Sequence, residues 1–144
     1  VLRYFTVYGP AGRPDMAPFR FVEWCMRGAE IQLFGDGKQS RDFTYVDDIA
    51  RGTIAALQKR LPGFEIINLG GGGERTTILE MIEMIGEFAG QEPQIKFLPV
   101  AQGDMLHTSA SIEKAEEMLG WSPRTPLTNG IQQLVYWHQK KLPK

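Results

Sequence analysis

Phe64-Glu-Ile-Ile-Asn-Leu-Gly-Gly-Gly-Gly-Glu-Arg-Thr-Thr-Ile-Leu-Glu80 passes from an apolar strand signal, through four glycines, to a helix start. Phe64–Leu69 has the apolar, β-branched composition of a buried strand. Thr77 with Glu80 three residues later is the pattern of a capping box, in which hydroxyl and carboxylate satisfy the first orphan amides of a helix. Beyond it Ile78, Met81, Ile82, Ile85 and Phe88 fall on one helical face, and Gly90 stops the run. The same grammar repeats on both sides. Val1–Tyr8 reads as a strand ended by the Gly9-Pro10-Ala11-Gly12 turn. A helix over about Ala17 to Arg27 follows, with Phe21, Val22 and Cys25 inward and Gly28 after it. Ile31–Phe34 and Phe43–Val46 are strands. Asp47 can cap a helix over about 47–60 in which Ile49, Ala50, Thr53, Ile54, Leu57 and Leu61 recur at helical spacing until Pro62-Gly63 breaks it. Ile95–Leu98 is a strand and Pro99–Thr108 a loop. Ser111 can cap a short helix ending at Leu119-Gly120, and a last helix over about Asn129 to Lys140 buries Ile131, Leu134 and Val135. Alternating strands and helices predict an α/β fold.

With 144 residues, the chain is long enough for one domain with a core. Sixteen Lys and Arg against seventeen Asp and Glu give a net charge of −1, which removes the electrostatic basis for non-specific nucleic-acid or membrane binding. No apolar run approaches the length of a membrane span, and no signal-peptide pattern opens the chain. A single cysteine, Cys25, forms no internal disulfide and is consistent with a reducing cytoplasm. A start in mid-strand without methionine leads us to expect a piece of something longer.

The glycine clusters do not make a phosphate loop. No lysine follows Gly70–Gly73 as a Walker motif demands, and Ser40 stands where Gly35-Asp36-Gly37 would need its third glycine. They read instead as strand-to-helix turns, where glycine permits a positive φ or close backbone approach. His107 and His138 lie far apart with no metal-ligand spacing, so each reads as a surface or hydrogen-bonding histidine. Cys25, on an apolar helix face, reads as a small hydrophobe. Tyr136 and Lys140 match the Y-x-x-x-K spacing by which a lysine activates a tyrosine base, but on a terminal helix the pair reads as chance. Arg41 sits in a polar loop before an aromatic strand. On spacing alone, a bidentate phosphate grip and an ion pair with Asp42, Asp47 or Asp48 stand equal. Arg3, inside a strand, is expected to be buried against a carboxylate. Arg13 is expected to be exposed in its turn and available to a ligand.

Five blocks in order resemble the extended short-chain dehydrogenase/reductase family, the NAD-dependent epimerases and dehydratases. They are Leu2-Arg3-Tyr4-Phe5-Thr6-Val7-Tyr8-Gly9-Pro10, the run from Ile31 through Gly35-Asp36-Gly37 and Arg41-Asp42-Phe43 to Asp48, Asn68-Leu69-Gly70, Gly103-Asp104, and Leu119-Gly120-Trp121 with Pro123, Thr125 and Leu127. Thr6 together with Gly12-Arg13-Pro14-Asp15-Met16-Ala17 is most similar to the members that epimerise UDP-glucuronate. The resemblance implies C4 oxidation by NAD, rotation of the 4-keto sugar, and return of hydride to the opposite face. It implies cofactor contacts from Tyr4 and Phe5 at the nicotinamide end. Substrate contacts would come from Thr6 (sugar or carboxylate), Arg13, Gln32 and Phe34 (uracil and ribose), Arg41 (diphosphate) and Asp104. Where relatives carry a second phosphate contact this chain has Ala101, with Gln102 beside it.

The family's glycine-rich NAD loop and catalytic Tyr-x-x-x-Lys precede the Val1–Tyr8 strand. The resemblance therefore implies a C-terminal half of a Rossmann-type enzyme: the last sheet strands plus the small substrate-binding domain. Residues 1–144 would be one fragment, mostly sugar-nucleotide domain, with strands 1–8 and 64–69 and helix 47–60 belonging to the dinucleotide-binding part. No catalytic residue is expected in the chain, which alone is expected to be inactive. The full-length enzyme is expected to be a cytoplasmic homodimer with a UDP-sugar substrate, NAD, and no metal, nucleic-acid or membrane partner. Same-fold alternatives are a UDP-sugar decarboxylase or 4,6-dehydratase. From other classes come a non-catalytic sugar-nucleotide-binding module and a purely structural domain. Strands 1–8 and 64–69 are expected to leave an open sheet edge.

Overall fold

Most of the apolar runs identified above become strands or helices with the inward face buried. The computed structural model describes residues 1–71, 75–100 and 103–141. In chain order the elements are β1 (Leu2–Tyr4), β2 (Val7–Tyr8), α1 (Ala17–Met26), β3 (Ile31–Phe34), β4 (Ser40–Arg41), β5 (Thr44–Tyr45), α2 (Val46–Lys59), β6 (Ile67–Leu69), β7 (Thr76–Thr77), α3 (Ile78–Ala89), β8 (Ile95–Leu98), β9 (His107–Thr108), α4 (Glu113–Leu119) and α5 (Leu127–Lys141). Among the described residues the strands form four small sheets. β1 pairs with β6, β2 with β5, and β3 with β8, all parallel, while β4 lies between antiparallel β7 and parallel β9. The fold is α/β, as the alternation predicts.

Two apolar cores form. In the larger, Phe21, Val22 and Cys25 of α1, Ile78, Met81, Ile82 and Ile85 of α3, and Ile131, Leu134 and Val135 of α5 close over Ile31 and Leu33 of β3, with Tyr8, Phe43 and Tyr45. The smaller joins Ile49 of α2, Ile67 and Leu69 of β6, Ala115 and Leu119 of α4, and Trp121. Strand β3 alternates strictly: Ile31 and Leu33 are buried, Gln32 and Phe34 exposed. That pleat turns Gln32 and Phe34 to the outer face.

The capping box forms as expected. Thr77 Oγ1 accepts from the Glu80 amide at 3.2 Å, and Glu80 Oε2 accepts from the Thr77 amide at 2.8 Å. These bonds, the backbone one foremost, hold the Glu80 carboxyl below the usual carboxylate range. Gly28, Gly90 and Gly120 follow α1, α3 and α4 with positive φ. Phe88 is half-buried at the edge of the larger core.

Several expectations are corrected. Helix α2 is rotated from its expected face, leaving Ile54 54% and Leu57 79% exposed and Ala50 exposed, with Asp48, Ile49 and Gly52 buried. The reason is close approach. A Cβ on Gly52 would stand 2.8 Å from Leu69 Cδ1 and 2.9 Å from Trp121 Nε1, so the helix lies on its smallest residue. Tyr45, not Asp47, is the N-cap, and α4 starts from Ile112 without a side-chain cap from Ser111. β6 begins only at Ile67, with Phe64 and Ile66 exposed. Arg3 is exposed and makes no ion pair among the described residues. Leu2 turns toward the smaller core, and Arg3 points to the opposite, uncovered face. β1 has β6 as its sole partner among the described residues, consistent with the expected open edge.

Candidate functional site

A cleft of about 380 Å³ opens between α1, the outer face of β3 and the β4 region. Thr6, Gln32, Phe34, Arg41 and Asp104 all line it, so five of the eight residues singled out from sequence converge from four separate stretches of chain. Thr6 is placed by backbone bonding, its carbonyl accepting from the Thr44 amide at 3.0 Å. Gln32 and Phe34 arrive through the β3 pleat, and Gln39 Nε2 donates to the Phe34 carbonyl at 2.6 Å. The apolar walls are Pro18, Phe21, Trp24, Leu33, Phe43 and Ile78. An apolar pocket with a few convergent polar groups is the usual form of a small-molecule site.

Arg41 is the electrostatic centre. It ends β4, in register with Thr76 of β7 and Thr108 of β9, so strands hold it on both sides. Its side chain is 16% exposed. Nη2 donates to Asp104 Oδ1 at 2.6 Å, and Nη1 donates to the carbonyls of Ser40 (2.9 Å) and Leu106 (3.4 Å). The ion-pair partner is thus Asp104, not Asp42, Asp47 or Asp48. Among the described residues three bonds engage this guanidinium, and an arginine has five N–H donors, so donors remain for an anion. Asp104 therefore fixes the guanidinium, with donors remaining among the described residues.

Arg13 does not line the cleft. Its side chain, 73% exposed, pairs at 3.0 Å with Asp15, which does line it, so Arg13 stands behind the rim. Tyr4 and Phe5 also lie outside. The Phe5 amide donates to the Leu69 carbonyl at 3.0 Å, extending the β1–β6 ladder, and the exposed Tyr4 hydroxyl is 3.0 Å from Thr53 Oγ1. They sit at the C-terminal end of β1, beside the end of the parallel strand β6. Ala101 and Gln102 lie outside the described residues.

His107 Nδ1 is 2.8 Å from Ser40 Oγ, and the buried His138 Nδ1 is 3.1 Å from the Leu134 carbonyl. The Lys140 ammonium lies 4.2 Å above the exposed Tyr136 ring, a surface pair on α5 away from the cleft lining. Among the described residues no cluster of His, Cys, Asp or Glu could hold a metal. Among the described residues no helix is long and apolar enough to cross a membrane. Burial, reinforced by Tyr45 and Asp48, pushes the Tyr8 hydroxyl far above its ordinary range, and burial raises Tyr45 as well. A second hollow of about 460 Å³, between Gly71, Thr76, Glu116 and the 122–127 segment, contains none of the residues singled out.

The glycine cluster has a physical role. A Cβ on Gly71 would stand 2.0 Å from Asp42 Oδ1 and 2.7 Å from the Phe43 carbonyl, and one on Gly70 2.4 Å from Ala110 Cβ. Neither has a positive φ, so close approach is what requires glycine there. Buried Asp42 accepts from the Ala110 amide at 3.0 Å, joining the strand after Arg41 to the segment before α4. Gly72 and Gly73 lie outside the described residues. Sequence reasoning missed Met16, Arg20 and Trp24, which bring α1 into the cleft. Their i, i+4, i+8 spacing was the available signal.

The chain is similar to known proteins along nearly its whole length. Residues 1–70 match the NAD dependent epimerase/dehydratase family. A UDP-glucuronate 4-epimerase of Thermodesulfobacterium geofontis is 46% identical over 142 residues, covering 99% of this chain and 43% of that protein. The crystal structure of UDP-glucuronic acid 4-epimerase from Bacillus cereus, with UDP-glucuronic acid and NAD, matches at TM-score 0.92 and 40% identity, covering 98% of this chain and 45% of that one. A UDP-glucose 4-epimerase of Thermotoga maritima with UDP-glucose matches at TM-score 0.92 and 34% identity, covering 99% and 46%. The chain spans less than half the length of these relatives.

Proposed function

We propose, from the chain's membership of the NAD-dependent epimerase/dehydratase family, that it is the substrate-binding part of an enzyme that epimerises UDP-glucuronate at C4. One observation carries the reading: a single apolar cleft gathers Thr6, Gln32, Phe34, Arg41 and Asp104 around a guanidinium with donors remaining among the described residues. Gln32 and Phe34 border the base and ribose. Arg41 grips the diphosphate, held in orientation by Asp104. Thr6 faces the sugar or its carboxylate, with Arg13 approaching from the rim. Tyr4 and Phe5 adjoin the nicotinamide. NAD, held beside Tyr4 and Phe5, would supply reversible hydride transfer at C4 of the sugar. The residues of this chain bind and orient, and proton transfer is assigned to none of them. Segments 1–8 and 64–69, with their strands β1, β2 and β6, and helix α2 belong, on this reading, to the dinucleotide-binding part of a longer polypeptide. The chain alone is therefore inactive.

The test is UDP binding by titration calorimetry with wild-type protein and Arg41→Ala. Loss of a charge-assisted phosphate contact should weaken UDP by about 1.5–3 kcal/mol. Unchanged affinity would reduce Arg41 to a brace for the 104–106 segment. Conversion of UDP-glucuronate to its C4 epimer by the protein made from its complete gene, with no CO₂ released, checks the reaction. CO₂ release would favour a decarboxylase.

A further inference from the structure

The four charged residues lining the cleft are Asp15, Arg20, Arg41 and Asp104. Asp104 is neutralised by Arg41 at 2.6 Å, and Asp15 by Arg13 at 3.0 Å from behind the rim. Among the described residues Arg20 has no carboxylate partner, so of the two lining cations it is the unpaired one; with Arg13 counted beside Asp15, the five charges sum to +1. Its guanidinium carbon lies 4.3 Å from the centre of the Trp24 ring, one helical turn along α1. Trp24 is steadied in turn by a tilted contact with the buried Phe21, at 6.3 Å between ring centres.

That stack decides what Arg20 can do. Cation–π contact occupies the face of the guanidinium, while its N–H donors point outward in the plane. The side chain is thus held over the cleft wall with its donors still available, which lowers the entropy lost when they engage a ligand. A diphosphate carries more negative charge than one half-committed guanidinium matches, and Arg41 has three donors spent on protein oxygens.

We infer that Arg20, backed by Trp24, is the second cation for the diphosphate of the bound nucleotide. This rests on the UDP-sugar reading and deepens it. The two arginines, one on α1 and one on β4, hold the phosphates from two sides of the cleft.

The experiment titrates UDP, uridine and UDP-glucuronate into the protein expressed from its complete gene, as wild type, Arg20→Met and Arg20→Lys. Arg20→Met should weaken UDP and UDP-glucuronate alike, each by about tenfold, and leave uridine unchanged. Arg20→Lys should recover part of the loss, and the salt dependence of UDP binding should fall in Arg20→Met. Equal losses for uridine and UDP would place Arg20 at the base and overturn the assignment. A loss for UDP-glucuronate without one for UDP would move Arg20 to the sugar carboxylate and equally overturn it. So would unchanged affinities throughout. If wild-type protein binds no UDP, the underlying reading fails first. UDP binding that is sensitive to Arg41→Ala but not Arg20→Met preserves that reading and rejects this one. The exposed position of Arg20 makes the variants suitable, and an unchanged thermal melt confirms folding.

Discussion

Asp48 should be among the most costly polar residues to remove. Its carboxylate, 3% exposed, accepts from the Arg51 guanidinium and from the backbone amides of Arg124 at 3.1 Å and Thr125 at 2.9 Å. Its own carbonyl accepts from Trp121 Nε1 at 2.8 Å. One residue at the start of α2 thereby fixes the segment leading into α5. Asp48→Ala leaves two backbone donors without partners, at about 1–3 kcal/mol each. The Arg51 side chain, 37% exposed, can turn to water, so loss of the ion pair adds little. We expect a total of about 2–6 kcal/mol in urea denaturation at neutral pH. Asp48→Asn, which keeps one acceptor oxygen, should cost about half as much. The pH dependence is a second check. Burial pushes the Asp48 carboxyl up, but hydrogen bonds from Arg51, Thr125 and Arg124 outweigh it and hold it below the usual carboxylate range. A folded-state value below the unfolded one, about 3.9, stabilises the protein above that pH, and the contribution fades as pH falls through the folded value. The gap between wild type and Asp48→Asn should therefore be widest near pH 7 and narrow below about pH 4. A loss under about 1 kcal/mol for Asp48→Ala, or a gap as wide at low pH as at neutral, would refute the reasoning.

Gly71→Ala, whose methyl would meet Asp42 Oδ1 and the Phe43 carbonyl, should destabilise by about 2–3 kcal/mol. A melt within a degree of wild type would show that the turn yields freely. Thr77→Ala removes the capping box and should cost about 1 kcal/mol, read as a shift in urea midpoint at constant slope. Cys25 is buried, and that burial raises its thiol pKa. It should react with a thiol reagent only at the rate of global opening, and rapid labelling of native protein would contradict its place in the core.

How much was legible in the sequence depended on the range of each signal. Local signals read true: β3 and β8 occupy the expected residues, and the Thr77/Glu80 box closes as expected. The face of α2 was misjudged because Ile54 and Leu57 outweigh Gly52 in any apolar periodicity, whereas packing favoured the residue that takes least room. Arg3 was misjudged because an alternating strand is buried on both faces only when both are covered. The Arg41 partner was invisible to spacing, since Asp104 lies 63 residues away and nearer aspartates were on offer. Pairings of that kind follow from topology, and here the resemblance supplied the block containing Asp104. The contribution of α1 to the cleft was missed because attention to its buried face hid the neighbouring row Met16, Arg20, Trp24.

The three tryptophans fall in three different surroundings, which gives the molecule its own optical reporters. Trp121 is locked in the smaller core with its indole N–H bonded to Asp48, Trp24 lies in the cleft wall beneath Arg20, and Trp137 contacts Phe19 on α5. Emission from Trp121 should shift to the red when the smaller core opens, while quenching of Trp24 should track occupancy of the cleft. Single-tryptophan variants would let one fluorimeter follow the loosening of one core and the filling of the cleft as separate events.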